Sequence, residues 1–166
     1  MKWIAIVAFA LALSACEGDP LPPPGPTPEI AAGAVQLETT ELISLRGHWS
    51  GYEDPVRKVI TDEETWAAAW DRIHAHVSPS PPAPSVDFGS SVIVLVAMGV
   101  RPTTGYSVTI QEVRRHEDRL LVTVTERSPG PRCRTGQALT APVHAVQVTG
   151  TVSQADFQVE EDTVDC

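Results

Sequence analysis

The chain has 166 residues, a net charge of −9 at pH 7 and 42% hydrophobic residues. This length is typical of one domain, and the hydrophobic share is sufficient for a core. The 21 acidic residues outnumber the 12 basic ones and no basic stripe is present, which argues against a nucleic-acid partner.

The first residues have the pattern of an export signal. Lys2 precedes an apolar run, Trp3–Leu13, that is too short to span a bilayer, which needs about 20 residues. The following Leu13-Ser14-Ala15-Cys16 resembles the bacterial lipobox, in which the cysteine is acylated and becomes the new N-terminus. We predict a lipoprotein signal peptide over residues 1–15 and a lipid on Cys16. The alternative is an ordinary signal peptide with a chance cysteine.

A proline-rich segment separates this signal from the domain. Residues 19–28 contain six prolines in ten positions. Such a segment cannot form ladder hydrogen bonds and favours the extended polyproline II conformation. We interpret residues 16–34 as a semi-rigid tether between the membrane and a single domain, residues 35–166. The alternative is a ligand for an aromatic groove.

The first half of the domain is predicted to contain two strands and one helix. The strands are expected within 35–46 and at 57–60, where β-forming residues cluster. Thr61-Asp62-Glu63-Glu64 has the pattern of a capping box, in which the side chains of the first and last residues bond each other's backbone N–H groups. The helix that follows has one apolar face, with residues at i, i+4, i+7 and i+11: Trp66, Trp70, Ile73 and Val77. The prolines that follow Ser78 end this helix.

The second half is predicted to be β-structure. The apolar run 91–98 is typical of a central strand covered on both faces. Segments 106–111 and 120–125 alternate apolar and polar residues, as strands with one buried face do. The polar residues 116–119 form the hairpin tip between them.

A last pair of strands is expected at 143–148 and 152–159, joined by a turn at 149–151. Together these elements predict an α+β fold, a mostly antiparallel β-sheet or sandwich with one packed helix.

Two cysteines remain if Cys16 carries lipid. Cys133 and Cys166 form an even pair in an exported chain, which favours one disulfide. It would close a loop of about 33 residues and stabilise the fold by about 3 kcal/mol in the chain-entropy model. Two free thiols are the alternative.

Catalytic and metal-binding motifs are not found in the sequence. It contains no phosphate-binding loop, nucleophile elbow, paired-cysteine zinc motif or metalloprotease helix. His74 and His76 are two residues apart and do not share a helix face, so they are a poor metal pair. Cys133 and His144 could in principle form a thiol nucleophile, but Cys133 has a candidate disulfide partner. We therefore predict no catalytic residue, no metal site and no cofactor.

Two polar loops are the candidate functional features. In the first, Pro102 fixes φ and Gly105 can adopt a positive φ, so the bend is held in one shape and loses little entropy on binding. The second spans residues 128–137, and we expect the two loops to be neighbours because alternate loops of a meander lie at the same end. We predict that a partner protein binds the first loop: Arg101, Pro102, Thr103, Thr104, Gly105 and Tyr106. Hairpin geometry alone is the alternative.

Within this prediction, the residues of the first loop have two roles. Pro102 and Gly105 set the bend, whereas Arg101 and Thr103 or Thr104 offer side chains to the partner. Tyr106 could belong to either group, because alternation places it on the face of the buried residues of the next strand.

Four blocks of sequence carry a family resemblance: Gly99–Val108, Leu121–Val124, Ser128–Gly130 and Gln137–His144. In this order they resemble the C-terminal domain of the PrcB family of protease-complex subunits, most strongly over residues 90–150. Members of that family are secreted or lipid-anchored bacterial proteins. The resemblance implies a protein-binding accessory role in the cell envelope, with a protease as the partner, rather than catalysis. This chain has Thr104 where glycine is common in the family.

Two other functions stay open. Residues 101–106 are also similar to the loop that chagasin-type inhibitors insert into cysteine proteases, and that family uses an immunoglobulin-like sandwich. It further needs a Gly-rich second loop and an Arg-Pro-aromatic third loop, neither of which is clear here. The last alternative is a structural envelope lipoprotein without a protease partner.

Overall fold

The computed structural model describes residues 33–166, which form a sandwich of two sheets with one helix on an outer face. The predicted signal peptide, the tether up to residue 32 and the lipidation site at Cys16 lie outside the described residues. The elements are β1 (Val35–Gln36), β2 (Thr39–Leu45), β3 (Val56–Ile60), α1 (Glu63–Ile73), β4 (Ser91–Ala97), β5 (Ser107–His116), β6 (Arg119–Pro129), β7 (Val143–Thr149) and β8 (Gln154–Val164). The predicted α+β class is confirmed. No helix within residues 33–166 has the length and apolar character needed to cross a bilayer.

The strands divide into two four-stranded sheets. Sheet A has the order β1-β5-β6-β8 and sheet B the order β2-β7-β4-β3. All neighbours are antiparallel except β6 and β8, which run parallel from the pair Arg119–Gln154 to the pair Pro129–Val164.

The predicted hairpin of the last two strands is wrong. After β7 the chain leaves sheet B and joins sheet A, so β7 and β8 are not neighbours. Residues 149–151 do mark the end of β7, but the strand that follows them belongs to the other sheet. The alternation of residues 152–159 indicates which face of the strand is buried and contains no information on its partner.

Strand β4 is the centre of the molecule, and all of its residues are buried. Val92, Val94 and Val96 face sheet A and pack in the core between the sheets, against residues such as Val122 and Val124. The other face of β4 packs under α1, with Ile93, Leu95 and Ala97. The apolar run was predicted to be a central strand covered on both faces, and this prediction is confirmed.

The helix begins one residue later than predicted. Asp62, in an extended conformation, is the N-cap: its Oδ1 accepts from the backbone N–H of Thr65 at 2.7 Å and its Oδ2 from the Thr65 hydroxyl at 2.9 Å. The predicted box of Thr61 and Glu64 is not formed, because Asp62 is itself a strong cap and reaches the same orphan donors of the first turn.

The apolar face of α1 is buried for only part of its predicted length. Trp66, Trp70 and Ile73 are buried as expected, but the helix ends at Ile73 and leaves Val77 51% exposed. The indole N–H groups of Trp66 and Trp70 donate to the carbonyls of Pro84 and Pro81, at 3.0 and 2.8 Å. The proline-rich loop thus folds back over the helix and satisfies both buried donors.

The sandwich has two distinct ends. Loops 46–55, 98–106 and 130–142 lie together at the end where Leu45 and Ala97 both pair with Val143, and we call this the loop end. The opposite end contains the β5–β6 turn and the short strand β1, whose Val35 pairs with Arg115.

Candidate functional site

The two predicted loops are in direct contact at the loop end. The backbone N–H of Thr104 donates to the Gly136 carbonyl at 3.1 Å, and the Gly136 N–H donates to the Thr104 hydroxyl at 2.7 Å. The Thr140 hydroxyl donates to the Thr103 carbonyl at 3.0 Å. The expectation that the loops are neighbours is confirmed, and each loop fixes the conformation of the other.

The first loop depends on Gly105. This residue has φ of +98°, a conformation that side chains rarely adopt, and a Cβ built on it would lie 3.1 Å from Pro129 Cβ. The predicted positive φ is therefore present. A larger residue here would be strained and would also push against the second loop.

The side chain of Arg101 is largely occupied within the molecule. Its backbone N–H and carbonyl pair with Thr140 at 2.7 and 3.0 Å. Its guanidinium lies over the Tyr106 ring, 5.8 Å from the centroid, and its Nη2 is 3.8 Å from Glu126 Oε2. Glu126 is only 12% exposed and also binds Arg57 at 2.5 Å. These contacts hold the guanidinium beside Tyr106 and Glu126, while 30% of the side chain stays exposed. That Arg101 contacts a partner stays a prediction.

The other residues of the first loop differ in what they expose. Pro102 and Gly105 are exposed, whereas Thr103 and Thr104 are half-buried and the Thr104 hydroxyl is used by Gly136. Tyr106 packs against the core between the sheets, as its alternation with Val108 predicted. Pro102 and Gly105 are therefore the most exposed residues of this loop.

Leu139 adds an apolar side chain to this surface, and sequence reasoning missed it. It is 58% exposed and directly precedes Thr140, which pairs with Arg101. Because this bridge is antiparallel, Leu139 and Pro102 lie on the same side of it. The sequence does show a leucine inside a polar loop. Apolar periodicity predicts burial only within strands and helices, so it does not say whether a loop leucine is exposed.

The second loop is bound to the end of β8. Cys133 and Cys166 form a disulfide with a Cα–Cα distance of 4.9 Å. The Gly130 N–H donates to the Val164 carbonyl at 2.9 Å, and Arg132 forms an ion pair with Asp165 at 2.5 Å. These bonds hold the second loop against sheet A.

Loop 46–55 is attached to the helix. Arg72 Nε donates to the Gly51 carbonyl at 3.0 Å, the Gly51 N–H donates to the Arg72 carbonyl at 2.9 Å, and the Arg72 guanidinium lies over the Tyr52 ring. Burial raises the pKa of Tyr52, partly offset by the charge of Arg72. The phenol is therefore neutral and serves as a packing group at the loop end.

The conceivable Cys133–His144 nucleophile is not assembled. Cys133 is in the disulfide, and His144 lies buried in sheet B, 3% exposed. Its Nδ1 accepts from the Ile110 N–H at 3.0 Å and its Nε2 is 3.0 Å from Glu41 Oε2. Because Nδ1 accepts, Nε2 carries the proton and donates to Glu41. The Nδ1 bond to Ile110 thus joins the two sheets, whereas the Nε2 bond to Glu41 links β7 to its neighbour β2 within sheet B.

The histidines near the helix end have separate roles. His74 Nδ1 is 2.9 Å from the Trp70 carbonyl, and the His76 ring packs against Trp49. Within the described part of the chain, no group of three or more His, Cys, Asp or Glu side chains could hold a metal ion.

Comparison with known families gives a match that covers both loops. Residues 92–149 match the PrcB C-terminal family. The predicted resemblance is confirmed over this segment, which runs from β4 through β7 and excludes α1 and β8. The matched family consists of accessory subunits of protease complexes rather than of catalytic subunits. No curated protein and no solved structure matches the chain.

Proposed function

We propose that this chain is a lipid-anchored accessory subunit of the bacterial cell envelope that binds a protease, or another protein of a protease complex, through its loop end. The observation that carries the proposal is the mutual locking of the loops around Thr104 and Gly136 inside the segment that matches the PrcB C-terminal family.

A locked surface is suited to binding because its shape is set before the partner arrives. Binding then orders few further residues, so less conformational entropy is lost. On this surface, the exposed Leu139 and Pro102 lie on the same side of the bridge between Arg101 and Thr140. An apolar contact surrounded by polar loops is the usual anatomy of a protein interface.

The lipid anchor is supported by the sequence Leu13-Ser14-Ala15-Cys16 after the apolar run. Cys16→Ala is expected to abolish metabolic labelling with a fatty acid and to release the protein from membranes. Unchanged labelling of this variant would refute the anchor.

The binding proposal is tested by co-purification from native membranes with matched variants. Leu139→Ser is expected to lower partner capture about tenfold or more, the effect of a contact worth about 1.4 kcal/mol. Val35→Ser is the control, because Val35 is 57% exposed, against 58% for Leu139, and lies at the opposite end of the sandwich. Equal capture by both variants and the unmodified chain would contradict a partner site at the loop end.

A second candidate, a chagasin-like protease inhibitor, is favoured by the grouping of three loops at one end of a sandwich: 46–55, 98–106 and 130–142. It predicts that the purified chain inhibits a papain-type protease and that Leu139→Ser weakens the inhibition. An accessory subunit would bind its partner without blocking cleavage of a small peptide substrate. Absence of any specifically captured protein would instead favour a structural envelope role.

A further inference from the structure

A polar groove of about 240 Å³ lies on the outer face of sheet A beside the loop end. Its lining residues are all hydrogen-bond donors, and none is a carboxylate: Arg46, Ser107, Thr109, Gln111, Thr125 and Arg127. This composition is unusual in a chain whose acidic residues outnumber its basic ones by 21 to 12.

Strand register explains how four of these side chains meet. Ser107 pairs with Arg127, and Thr109 pairs with Thr125, across β5 and β6. They alternate with the buried Val108 and therefore project from the outer face.

The remaining two lining residues come from irregular positions. Gln111 lies at a register shift in β5, next to Ile110, whose N–H is bound by His144 instead of a neighbouring strand. Arg46 directly follows β2, a strand of sheet B. The groove is thus assembled from both sheets.

The two arginines make the lining of the groove positive, while Glu160 and Asp162 of β8 lie beside it, paired with Thr125 and Arg127. Among residues 33–166, Arg46 forms no ion pair. Arg127 donates from Nε to Asp162 Oδ2 at 2.8 Å, which leaves both of its Nη groups for a ligand. Asp162 is on β8, beyond β6, and is not a lining residue.

We propose that this groove binds a carboxylate of the protein partner, an Asp or Glu side chain held by Arg46 and Arg127 with hydroxyl donors around it. Guanidinium groups bind carboxylates with paired, charge-assisted hydrogen bonds. The inference rests on the proposed function, which supplies the partner protein that carries the carboxylate. The groove lies close to the proposed partner site, because Ser107 directly follows the first loop.

The test uses the full chain purified in detergent and a fluorescent hexaglutamate peptide, with binding followed by fluorescence anisotropy near physiological salt. Arg127→Gln and Arg46→Gln are each expected to weaken peptide binding about tenfold or more. Arg119→Gln is the matched control, expected to change binding less than twofold. Like Arg127, Arg119 is on β6, is paired with an aspartate of β8 and is about half exposed, yet it lies at the other end of the strand.

A second pair of variants separates binding from structural damage. Asp162→Asn releases Arg127 from its ion pair and is expected to tighten peptide binding severalfold. Asp156→Asn removes the same charge beside Arg119 and is expected to have little effect. A variant that is merely misfolded does not bind more tightly than the unmodified chain.

Three results would overturn the inference: no saturable binding of the peptide by the unmodified chain, equal weakening by Arg119→Gln and Arg127→Gln, or displacement of the peptide by inorganic phosphate at equal concentration. The last result would assign the groove to a free oxyanion. The proposed function has its own readout, since capture from membranes that depends on Leu139 could persist when the groove binds no peptide.

Discussion

Sheet B is covered on both faces, whereas sheet A is covered on one. Strand β4 of sheet B is buried throughout, between the other sheet and α1, whereas strand β6 of sheet A alternates between buried and half-exposed residues. Both strands are rich in branched residues, so composition alone does not separate them. The period of a strand therefore reports how many of its faces are covered, and within residues 33–166 only sheet A leaves a face free for polar contacts.

The largest expected effect is a cavity on the covered outer face of sheet B. Leu95 is fully buried beneath α1, so Leu95→Ala should lower the free energy of unfolding by about 2–5 kcal/mol. Thr123→Ala, on the open face of sheet A, should change it by less than about 0.5 kcal/mol. Urea unfolding measures both, and similar losses for the two variants would contradict the contrast between the sheets.

The disulfide is the next largest contribution, and it acts on sheet A. Cys133→Ser with Cys166→Ser opens a loop with a sequence separation of 33 residues and should cost about 3 kcal/mol. The urea midpoint of the unmodified chain under reducing conditions should fall to that of the double variant. An unchanged midpoint in both cases would show that hydrogen bonds alone fix the end of β8.

A smaller effect is expected at the bond between the sheets. His144→Ala leaves the buried N–H of Ile110 without an acceptor and should cost about 1–3 kcal/mol. Glu41→Gln is the control, because it keeps an acceptor at the other ring nitrogen and changes an exposed side chain. The idea fails if Glu41→Gln destabilises the protein as much as His144→Ala does.

The smallest effect is expected on the open face of sheet A, and it depends on pH. The hydrogen bonds and charge of Arg119 hold the pKa of Asp156 below its ordinary value of 3.8. A lowered pKa in the folded state stabilises the protein above pH 3.8, and this contribution is lost as the pH falls through the lowered pKa. Arg119→Gln should therefore lower Tm slightly at pH 7 and not in strong acid. A difference in Tm that grows with acidity would contradict this assignment.

Local patterns predicted the elements well because each depends on neighbours in sequence. The run of β4 and the alternation of β5 and β6 fixed strand type, and the spacing of Trp66 and Trp70 fixed the helix. The cap was displaced to Asp62 because two adjacent residues can bind the same first-turn donors.

What the sequence could not predict depends on contacts between distant residues. The parallel pairing of β8 with β6 is a choice of partner, which alternation does not encode. The groove is hidden for the same reason, because Arg46 and Arg127 are brought together only by the packing of two sheets. The contact of Thr104 with Gly136 could be anticipated because β5 and β6 form a hairpin, whose open end brings their flanking loops together.

The position of β1 places the start of the described chain at the end of the sandwich opposite to the loop end. The described chain enters beside Arg115, at the end of β5 opposite to Ser107, and β5 has 10 residues, about 33 Å of strand. If the proposed lipid is present on Cys16, the anchored segment would enter the domain at this end, and Leu139 would lie at the loop end. The anchored end and the loop end would then be separated by the full height of the sandwich. A partner could bind the loop end from the aqueous phase without displacing the anchor.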